Sequence, residues 1–424
     1  MLTLTPTEPE LLAAAVVTTL AVDFDPQARE ASIFYWERGR SYRRAVVAAA
    51  ERTGDETVAL LVDELRARPA DPALHLALRT RLVRLAGESG DGGGPALGTL
   101  FERAWEAECN SRLGYHLGRH YGGTGQASVD AERLGTLPPG DGLGPGDAPG
   151  VLVVVPFRDR GPGLRLRNLL ACLAALRDQS VPRGSYRVAV VETDDAPRWR
   201  DAVRPRADHY RFAYKPGGFN KSWAVNVGVV NAPGRAEIVC ILDADALVDR
   251  DFVARNVARF RRPGAMGHLS YRDMWCLDES ATSWAIEERL WRRAAAADPD
   301  RLRAFVLRRP PGCCVWVRTS AFHRIGGMDE RFEGWGGEDN DFAYRMDVNS
   351  AFDHYHDPLL HMYHPSSAVL REDGELVNAH IPALSWGPAS AAIGDADRFA
   401  RTSGPGRHHE GRHPHERRAG SHVA

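Results

Sequence analysis

Short apolar runs alternate with segments of helical pattern between residues 151 and about 395. The first run, 151–155, is continuous and rich in valine, which is typical of a strand buried on both faces of a parallel sheet. The predicted strands and helices follow one another as 151–155, 164–176, 186–191, 221–230 and 238–242. This alternation predicts an α/β fold, in which helices cover both faces of a mostly parallel sheet.

Charged residues follow three of these strands at the point where each strand ends. The segment 156–160 follows the first strand, Glu192 and further acids follow the second, and Asp243 and Asp245 follow the third. The carboxyl ends of parallel strands meet at one edge of a sheet, and ligands bind beyond that edge. We therefore expect these residues to lie around one site.

Asp243 and Asp245 stand one residue apart, directly after an apolar strand. Hard divalent cations prefer carboxylate oxygens and leave coordination positions open for phosphate oxygens. A nucleotide diphosphate leaving group needs its charge neutralised as its bond to a sugar breaks. The pair therefore indicates a cation site, and the alternative is a solvated turn, because two acids at this spacing also occur by chance.

The segment 334–346 carries the strongest indication of function. Gly336 and Gly337 let the backbone approach a ligand closely, since neither has a side chain. Trp335 offers the flat apolar face on which a sugar ring stacks. Glu338 and Asp339 come next, and a third acid follows two positions later; like charges at this density are costly unless they bind cations, donors or substrate hydroxyls. Together with the earlier pair of acids, the segment suggests a metal-dependent sugar transferase.

His361 and His364 follow this acidic segment. A neutral imidazole is a good ligand for manganese-like metals, so both histidines could reach the cation site. Alternatively, one histidine orients the other, or either has only a structural role.

Composition limits the remaining classes of function. Net charge is −2, so no overall field draws the chain to nucleic acid or to an anionic membrane. No apolar run approaches the roughly 20 residues of a membrane span, and the six cysteines are scattered or lie in apolar runs. We expect a protein with reduced thiols, located in the cytoplasm and without a transmembrane segment or a nucleic-acid partner.

The 424 residues predict four regions. These are a helical accessory domain at 1–121, a linker rich in glycine and proline at 122–150, the α/β domain at 151–395 and a disordered tail at 396–424. The third helix of the first domain is expected at 100–121. That domain serves either packing or the recruitment of a partner, and the histidines of the tail could instead chelate metal.

Five motifs in order resemble those of the β-1,4-galactosyltransferases and their bacterial relatives among the family-two glycosyltransferases, including chondroitin-polymerase-like enzymes. They are Pro156-Phe-Arg-Asp-Arg160, Phe219-Asn-Lys-Ser-Trp-Ala-Val-Asn226-Val-Gly228, Asp243-Ala-Asp245, Gly312-Cys-Cys-Val and Gly334-Trp-Gly-Gly-Glu-Asp339. The resemblance covers about residues 151–375. It implies a GT-A fold, a nucleotide-sugar donor of UDP type, and Mn²⁺ or Mg²⁺ as cofactor.

The resemblance also implies roles for individual residues. The donor side is expected to comprise Pro156, Phe157, Arg158, Arg160, Glu192, Phe219, Lys221, Asp243 and Gly312. Asp339 is the expected catalytic base, with Glu338 beside it as a sugar contact. The acceptor is expected at Trp335, Gly336 and Gly337, and the metal at Asp245, His364 and His361.

Four residues depart from the family pattern. Lys221 replaces an arginine, and His361 stands in place of a methionine ligand. Cys313 follows Gly312 where a glycine is usual, and Asn340 stands where animal galactosyltransferases have a third consecutive acid. These changes bear on the donor sugar and the metal more than on the reaction.

The predicted function is inverting, metal-dependent transfer of a sugar from a nucleotide-diphosphate donor to an acceptor hydroxyl, of the galactosyl or N-acetylhexosaminyl type. The acceptor is a glycan, a lipid-linked glycan or a small molecule. One alternative is a catalytically silent nucleotide-sugar-binding module whose helical domain recruits a partner. Another is a nucleotidyltransferase, although the segment 158–163 is a poor version of the glycine-rich basic loop that such enzymes need.

Overall fold

The computed structural model describes residues 5–88, 94–123, 128–140, 142–143, 147, 149–366, 369–388 and 392–402. The helices are α1 Pro9–Phe24, α2 Pro26–Ala31, α3 Ile33–Arg38, α4 Arg40–Ala50, α5 Glu56–Ala67, α6 Pro72–Glu88, α7 Pro95–Asn110, α8 Ala131–Gly135, α9 Leu164–Arg177, α10 Arg200–Val203, α11 Lys221–Asn231, α12 Phe252–Arg259, α13 Glu279–Ile286, α14 Thr319–Arg324, α15 Glu338–Asn349 and α16 Arg398–Thr402. The strands are β1 Leu113–Leu117, β2 Val151–Phe157, β3 Tyr186–Asp194, β4 His209–Tyr214, β5 Ile238–Leu242, β6 Ala246–Leu247, β7 Gly267–Leu277, β8 Arg303–Arg308, β9 Cys314–Arg318 and β10 Phe352–His361.

The strands form one mixed sheet with a parallel centre. Its main path runs β1-β8-β7-β9-β5-β2-β3-β4. Strands β5, β2, β3 and β4 are parallel, whereas β9, β7, β8 and β1 add antiparallel pairs on the other side of β5. The three strands predicted from their apolar runs are confirmed as β2, β3 and β5.

Both faces of the sheet are buried, as the continuous apolar run of β2 predicts. Val153 and its alternate neighbours pack against α9, while Val154 packs on the other face with Val225 of α11. Both valines are fully buried, because side chains alternate between the faces along a strand.

Strand β10 determines what lies next to the acids that follow β5. It runs parallel to β7 and then pairs antiparallel with the short strand β6, so that His361 lies opposite Ala246. This pairing joins two segments that are far apart in sequence, and it places the end of β10 beside Asp245.

The helical domain has its own apolar core, formed by α1 and α4–α7. The helix expected at 100–121 ends at Asn110, and residues after it form β1, which pairs with β8 and extends the main sheet. Alternate residues Leu113 and Tyr115 are buried beside Phe305, so the strand, with period two, is favoured over a continued helix. The helical domain is thus joined to the sheet rather than tethered by a linker alone.

The structure also adds detail at the two expected flexible regions. Within 122–150, helix α8 packs on α9 and buries Leu134 in the main core. At the other end, residues 396–402 were assigned to the tail, but Phe399 of α16 lies edge-on to Trp223 at 4.9 Å. Residues 403–424, with the tail histidines, lie outside the described residues. Among the described helices, none is both long enough and apolar enough to cross a bilayer.

Candidate active site

A cavity of about 1510 Å³ opens at the carboxyl ends of β2 and β5. The predicted residues that line it are Pro156, Phe157, Arg158, Arg160, Phe219, Lys221, Asp243, Asp245, Gly312, Trp335, Gly336, Gly337, Glu338, Asp339, His361 and His364. The helical domain contributes a further stretch of wall, residues 23–36. The cavity therefore brings together residues from both ends of the sequence.

Asp245 and the two histidines form one corner of the cavity, which we call the metal corner. The Nε2 atoms of His364 and His361 lie 2.9 and 3.4 Å from the two carboxylate oxygens of Asp245. The three ligand atoms lie within 4.8 Å of one another. One carboxylate and two imidazoles suit a manganese-like divalent cation.

Hydrogen bonding at the metal corner fits a cation. His364 Nδ1 lies 2.9 Å from the carbonyl oxygen of Pro365, which can only accept, so Nδ1 carries a proton. His364 Nε2 in turn lies within hydrogen-bond distance of Asp245 Oδ2, at 2.9 Å, so a cation held between the two groups would take the place of a proton on Nε2. Burial alone would raise the pKa of Asp245, but His361 and His364 outweigh it and the pKa is lowered.

Lys221, Asp243 and Asp339 form a second corner, which we call the lysine corner. Lys221 Nζ lies 2.8 Å from an oxygen of Asp243 and 2.9 Å from Asp339 Oδ2. Burial opposes the charge of Lys221, yet the surrounding acids, led by Asp243 and Asp339, raise its pKa well above its ordinary value. Burial also raises the pKa of Asp243 to about 6; Lys221 opposes this shift, while Asp339 and Asp245 add to it.

Glycine at position 312 permits the approach of Asp339. A Cβ atom built on Gly312 would overlap the Asp339 carboxylate oxygen. Gly337 precedes α15 with φ near 102°, and a Cβ there would lie 2.7 Å from the Phe332 ring. These glycines let the first turn of α15, which carries Glu338 and Asp339, reach the cavity, and its N-terminal dipole favours negative charge there.

The other acids of this turn have different roles. Burial, followed by the charge of Asp339, raises the pKa of Glu338 to about 7. Its Oε2 atom is buried without a hydrogen-bond partner, so this carboxyl can hold a proton near neutral pH and contact a substrate. Asp341 is instead paired with Arg345 at 2.8 Å on the same helix.

The arginines expected on the donor side are held by Asp194 at the end of β3. Arg160 Nε donates to Asp194 Oδ1 at 2.7 Å, and Arg158 donates to the carbonyl oxygens of Lys215 and Gly217 at 2.8 and 2.9 Å. Burial lowers the pKa of Arg158. The loop after β2 is thereby fixed in position at the cavity.

Glu192 is the predicted donor residue that does not line the cavity. Its carboxylate accepts hydrogen bonds from the Trp199 backbone amide and the Tyr210 hydroxyl. Asp194, two residues on and therefore on the same face of β3, reaches the arginines of the loop after β2, whereas Glu192 lies one step earlier along the strand. The structure thus places Glu192 near the predicted strand end, bonded to residues of the sheet and of the following loop.

Sequence reasoning missed the contribution of the helical domain. Phe34 of α3 contacts Trp335 with ring centroids 6.3 Å apart. The available signal was the run Ile33-Phe-Tyr-Trp36, four large apolar residues in a row outside any amphipathic pattern.

Two family profiles match this region. The profile of glycosyl transferase family 2 matches residues 152–326, and that described as the N-terminal domain of galactosyltransferase matches residues 307–356. A search of curated proteins gave no match.

The matches among solved structures include the following three. A mannosyltransferase from Pyrobaculum calidifontis, in complex with GDP-Man and Mn²⁺, is 20% identical, with 57% of this chain and 64% of that chain aligned and a TM-score of 0.33. TarS from S. aureus is 13% identical over 50% of this chain and 60% of its own, with a TM-score of 0.35. The catalytic domain of Drosophila β-1,4-galactosyltransferase 7 is 16% identical over 60% of this chain and 80% of its own, with a TM-score of 0.29.

The chain thus spans less than two thirds of the length of the first two of these structures. The sheet order and the cavity at the strand ends confirm the predicted α/β fold. The two profiles show that residues 152–326 are similar to glycosyl transferase family 2 and residues 307–356 to galactosyltransferases, as the sequence motifs predict.

Proposed function

We propose that the chain transfers a sugar from a nucleotide-diphosphate donor to an acceptor hydroxyl, with inversion at the anomeric carbon. The observation that carries this proposal is the division of one cavity into the metal corner and the lysine corner. The leaving diphosphate needs positive charge beside it, which a cation in the metal corner would supply. The attacking hydroxyl needs a carboxylate that accepts its proton, which the lysine corner contains.

Asp339 is the proposed base. It takes the proton of the acceptor hydroxyl as that oxygen attacks the anomeric carbon. Lys221 fixes the orientation of the Asp339 carboxylate, since it donates to Asp339 and Asp243 at once. Glu338 contacts the sugar beside the base. A single displacement on the face opposite the leaving group inverts the anomeric centre.

Asp245, His361 and His364 would hold Mn²⁺ or Mg²⁺, which when bound neutralises the diphosphate. Arg158, Arg160, Phe157 and Phe219 bind the nucleotide. We propose a UDP-linked hexose of galactosyl or N-acetylhexosaminyl type, supported by the family motifs. Cys313, which is buried at the cavity wall, reduces the room beside Gly312 relative to the glycine that is usual there.

A screen of UDP-sugars with and without Mn²⁺ tests this proposal. We expect metal-dependent release of free UDP, with faster release when an acceptor is present. Release of pyrophosphate would instead indicate nucleotidyl transfer. Binding of UDP-sugars without turnover, across glycoside acceptors, would indicate a silent binding module.

A further inference from the structure

One wall of the cavity comes from outside the GT-A domain. Ile33 and Phe34 of α3 line it, together with Trp335 and Leu376. The Phe34 and Trp335 rings meet edge to face, with an interplanar angle of 69°. The Leu376 side chain lies 3.0 Å from where a Cβ on Gly336 would stand. We call these four residues, Ile33, Phe34, Trp335 and Leu376, the apolar patch.

Buried ion pairs hold α2 and α3 against the sheet. Arg303 of β8 pairs with Asp25, which precedes α2, and donates to Asp278 at 2.7 Å. Tyr115 donates to Asp25 at 2.9 Å and accepts from Arg303 at 2.8 Å. Breaking such a buried network leaves uncompensated charge, so the position of α3 relative to the cavity is fixed.

A second contact ties α3 to the segment that carries Leu376. Arg38 pairs with Glu375 at 3.0 Å, and its guanidinium lies 4.3 Å from the centre of the Phe34 ring. The pair is exposed and contributes little to stability. The Arg38 guanidinium nevertheless covers one face of the Phe34 ring, and Phe34 still lines the cavity.

Ile33 and Phe34 of α3 remain half-exposed at the cavity, whereas Trp36 packs against the core formed with β1. None of its six residues is buried, although four of them are large and apolar. Apolar surface grouped in a cavity indicates a binding site. The volume of about 1510 Å³ exceeds the roughly 300–1,000 Å³ of most ligand pockets, so a second substrate fits beside a nucleotide-sugar.

We propose that the helical domain supplies half of the acceptor site, and that the acceptor carries an apolar group next to its reacting sugar or hydroxyl. The sugar ring stacks on Trp335, and the attached apolar group packs on Phe34 and Ile33. This inference rests on the proposed transferase function and adds the class of acceptor: a glycoside or alcohol with an aryl or alkyl substituent, in preference to a bare sugar.

Paired glycosides test the inference. Phenyl and methyl β-glycosides of glucose, galactose, xylose and N-acetylglucosamine are compared as acceptors for the full-length protein with Mn²⁺ and the active UDP-sugar. We expect the phenyl glycoside to have a KM about tenfold lower than that of its methyl partner. Packing of one phenyl ring against aromatic residues contributes a binding free energy of about this size. Phe34→Ala should remove this preference, so that the two glycosides then have similar KM values.

Leu60→Ala is the matched control. Leu60 lies on α5 of the same domain, is 59% exposed and does not line the cavity, so its substitution should leave both KM values unchanged. Equal KM values for phenyl and methyl glycosides with wild-type protein would overturn the inference. An equal effect of Phe34→Ala on both glycosides would also overturn it.

A binding measurement separates this inference from the proposed function. Saturation-transfer NMR of the phenyl glycosides needs no turnover, and Phe34→Ala should weaken their signal relative to wild type and Leu60→Ala. If no UDP-sugar is turned over, the transferase proposal fails, while this binding comparison still decides on the apolar patch. Equal signals from wild type and Phe34→Ala would contradict it.

Discussion

Asp243 and Asp245 are separated by one residue, yet the structure places them in opposite electrostatic surroundings. Asp245 faces two imidazoles, whose combined effect exceeds that of burial and lowers its pKa. Asp243 faces Lys221 but is buried near Asp339 and Asp245, and its pKa rises to about 6. The comparison teaches that two acids whose carboxylate oxygens lie within 4.8 Å of each other can have different partners: Asp245 faces the histidines of the metal corner, and Asp243 faces Lys221 in the lysine corner.

The largest expected effect comes from the base of the lysine corner. Asp339→Asn keeps the shape of the side chain and removes its ability to accept a proton, so turnover should fall by roughly 10²–10⁴. Donor affinity, measured by calorimetry with UDP and Mn²⁺, should stay within about twofold because the metal corner is unchanged. A variant that transfers sugar at the wild-type rate would show that another residue is the base.

Gly312→Ala should displace Asp339 without altering the metal corner. The new methyl group would overlap the carboxylate, and a shift of about 1 Å can cost on the order of 10² in rate. Steady-state turnover and the Mn²⁺ requirement are the measurements.

Gly98→Ala provides the control for this substitution. A Cβ at Gly98 in α7 meets no atom within 4 Å, so this change should leave turnover intact and stabilise the fold by about 0.5–1 kcal/mol. Wild-type turnover in Gly312→Ala would contradict the close approach of the two residues.

Substitutions in the metal corner should instead change the metal requirement. His364 Nε2 is closer to Asp245 than His361 Nε2, at 2.9 against 3.4 Å. His364→Ala should therefore raise the Mn²⁺ concentration for half-maximal activity by at least about tenfold, and His361→Ala should raise it less. The reverse order would mean that His361 is the main ligand.

The smallest effect concerns the pH dependence of stability in chelator-treated protein. Because the Asp243 pKa is raised from 3.8 to about 6, its contribution to stability is present at low pH and is lost as the pH rises through that interval. Because the Asp245 pKa lies below 3.8, its contribution is present above that value and is lost as the pH falls below it.

Urea unfolding as a function of pH measures both contributions. Asp243→Asn should remove about 2 kcal/mol of the change between about pH 4 and pH 6. Asp245→Asn should reduce the pH dependence of the free energy of unfolding only below about pH 4. If the free energy of unfolding depended on pH in the same way in both variants, the two acids would not differ in their surroundings as the structure indicates.

The fold of the sheet could be predicted from the sequence because its signals are local. The continuous apolar residues of β2 and β5 require burial on both faces, and parallel strands then place their carboxyl ends at one edge. The acids after β5 and the glycines before α15 were found in the same way. How far a side chain lies from the strand end was not predicted: Glu192 bonds to Trp199 and Tyr210, whereas Asp194 reaches the arginines at the cavity.

The wall supplied by the helical domain could not be predicted in this way. Asp25 and Arg303 are 278 positions apart, and nothing local to either residue indicates that they pair. The strand β1 was missed for a related reason, since its five residues gain their stability from pairing with β8. Contacts of this range depend on tertiary packing, which periodicity does not reveal.

Turnover as a function of Mn²⁺ concentration tests the division of the site most directly, with wild type, His364→Ala and Asp339→Asn compared on the active UDP-sugar. His364→Ala should move the curve to higher Mn²⁺ and approach the wild-type plateau. Asp339→Asn should lower the plateau by roughly 10²–10⁴ without moving the midpoint. Two results would contradict the account of two corners. One is full wild-type activity in excess chelator, and the other is that each variant changes both the Mn²⁺ midpoint and the plateau of turnover.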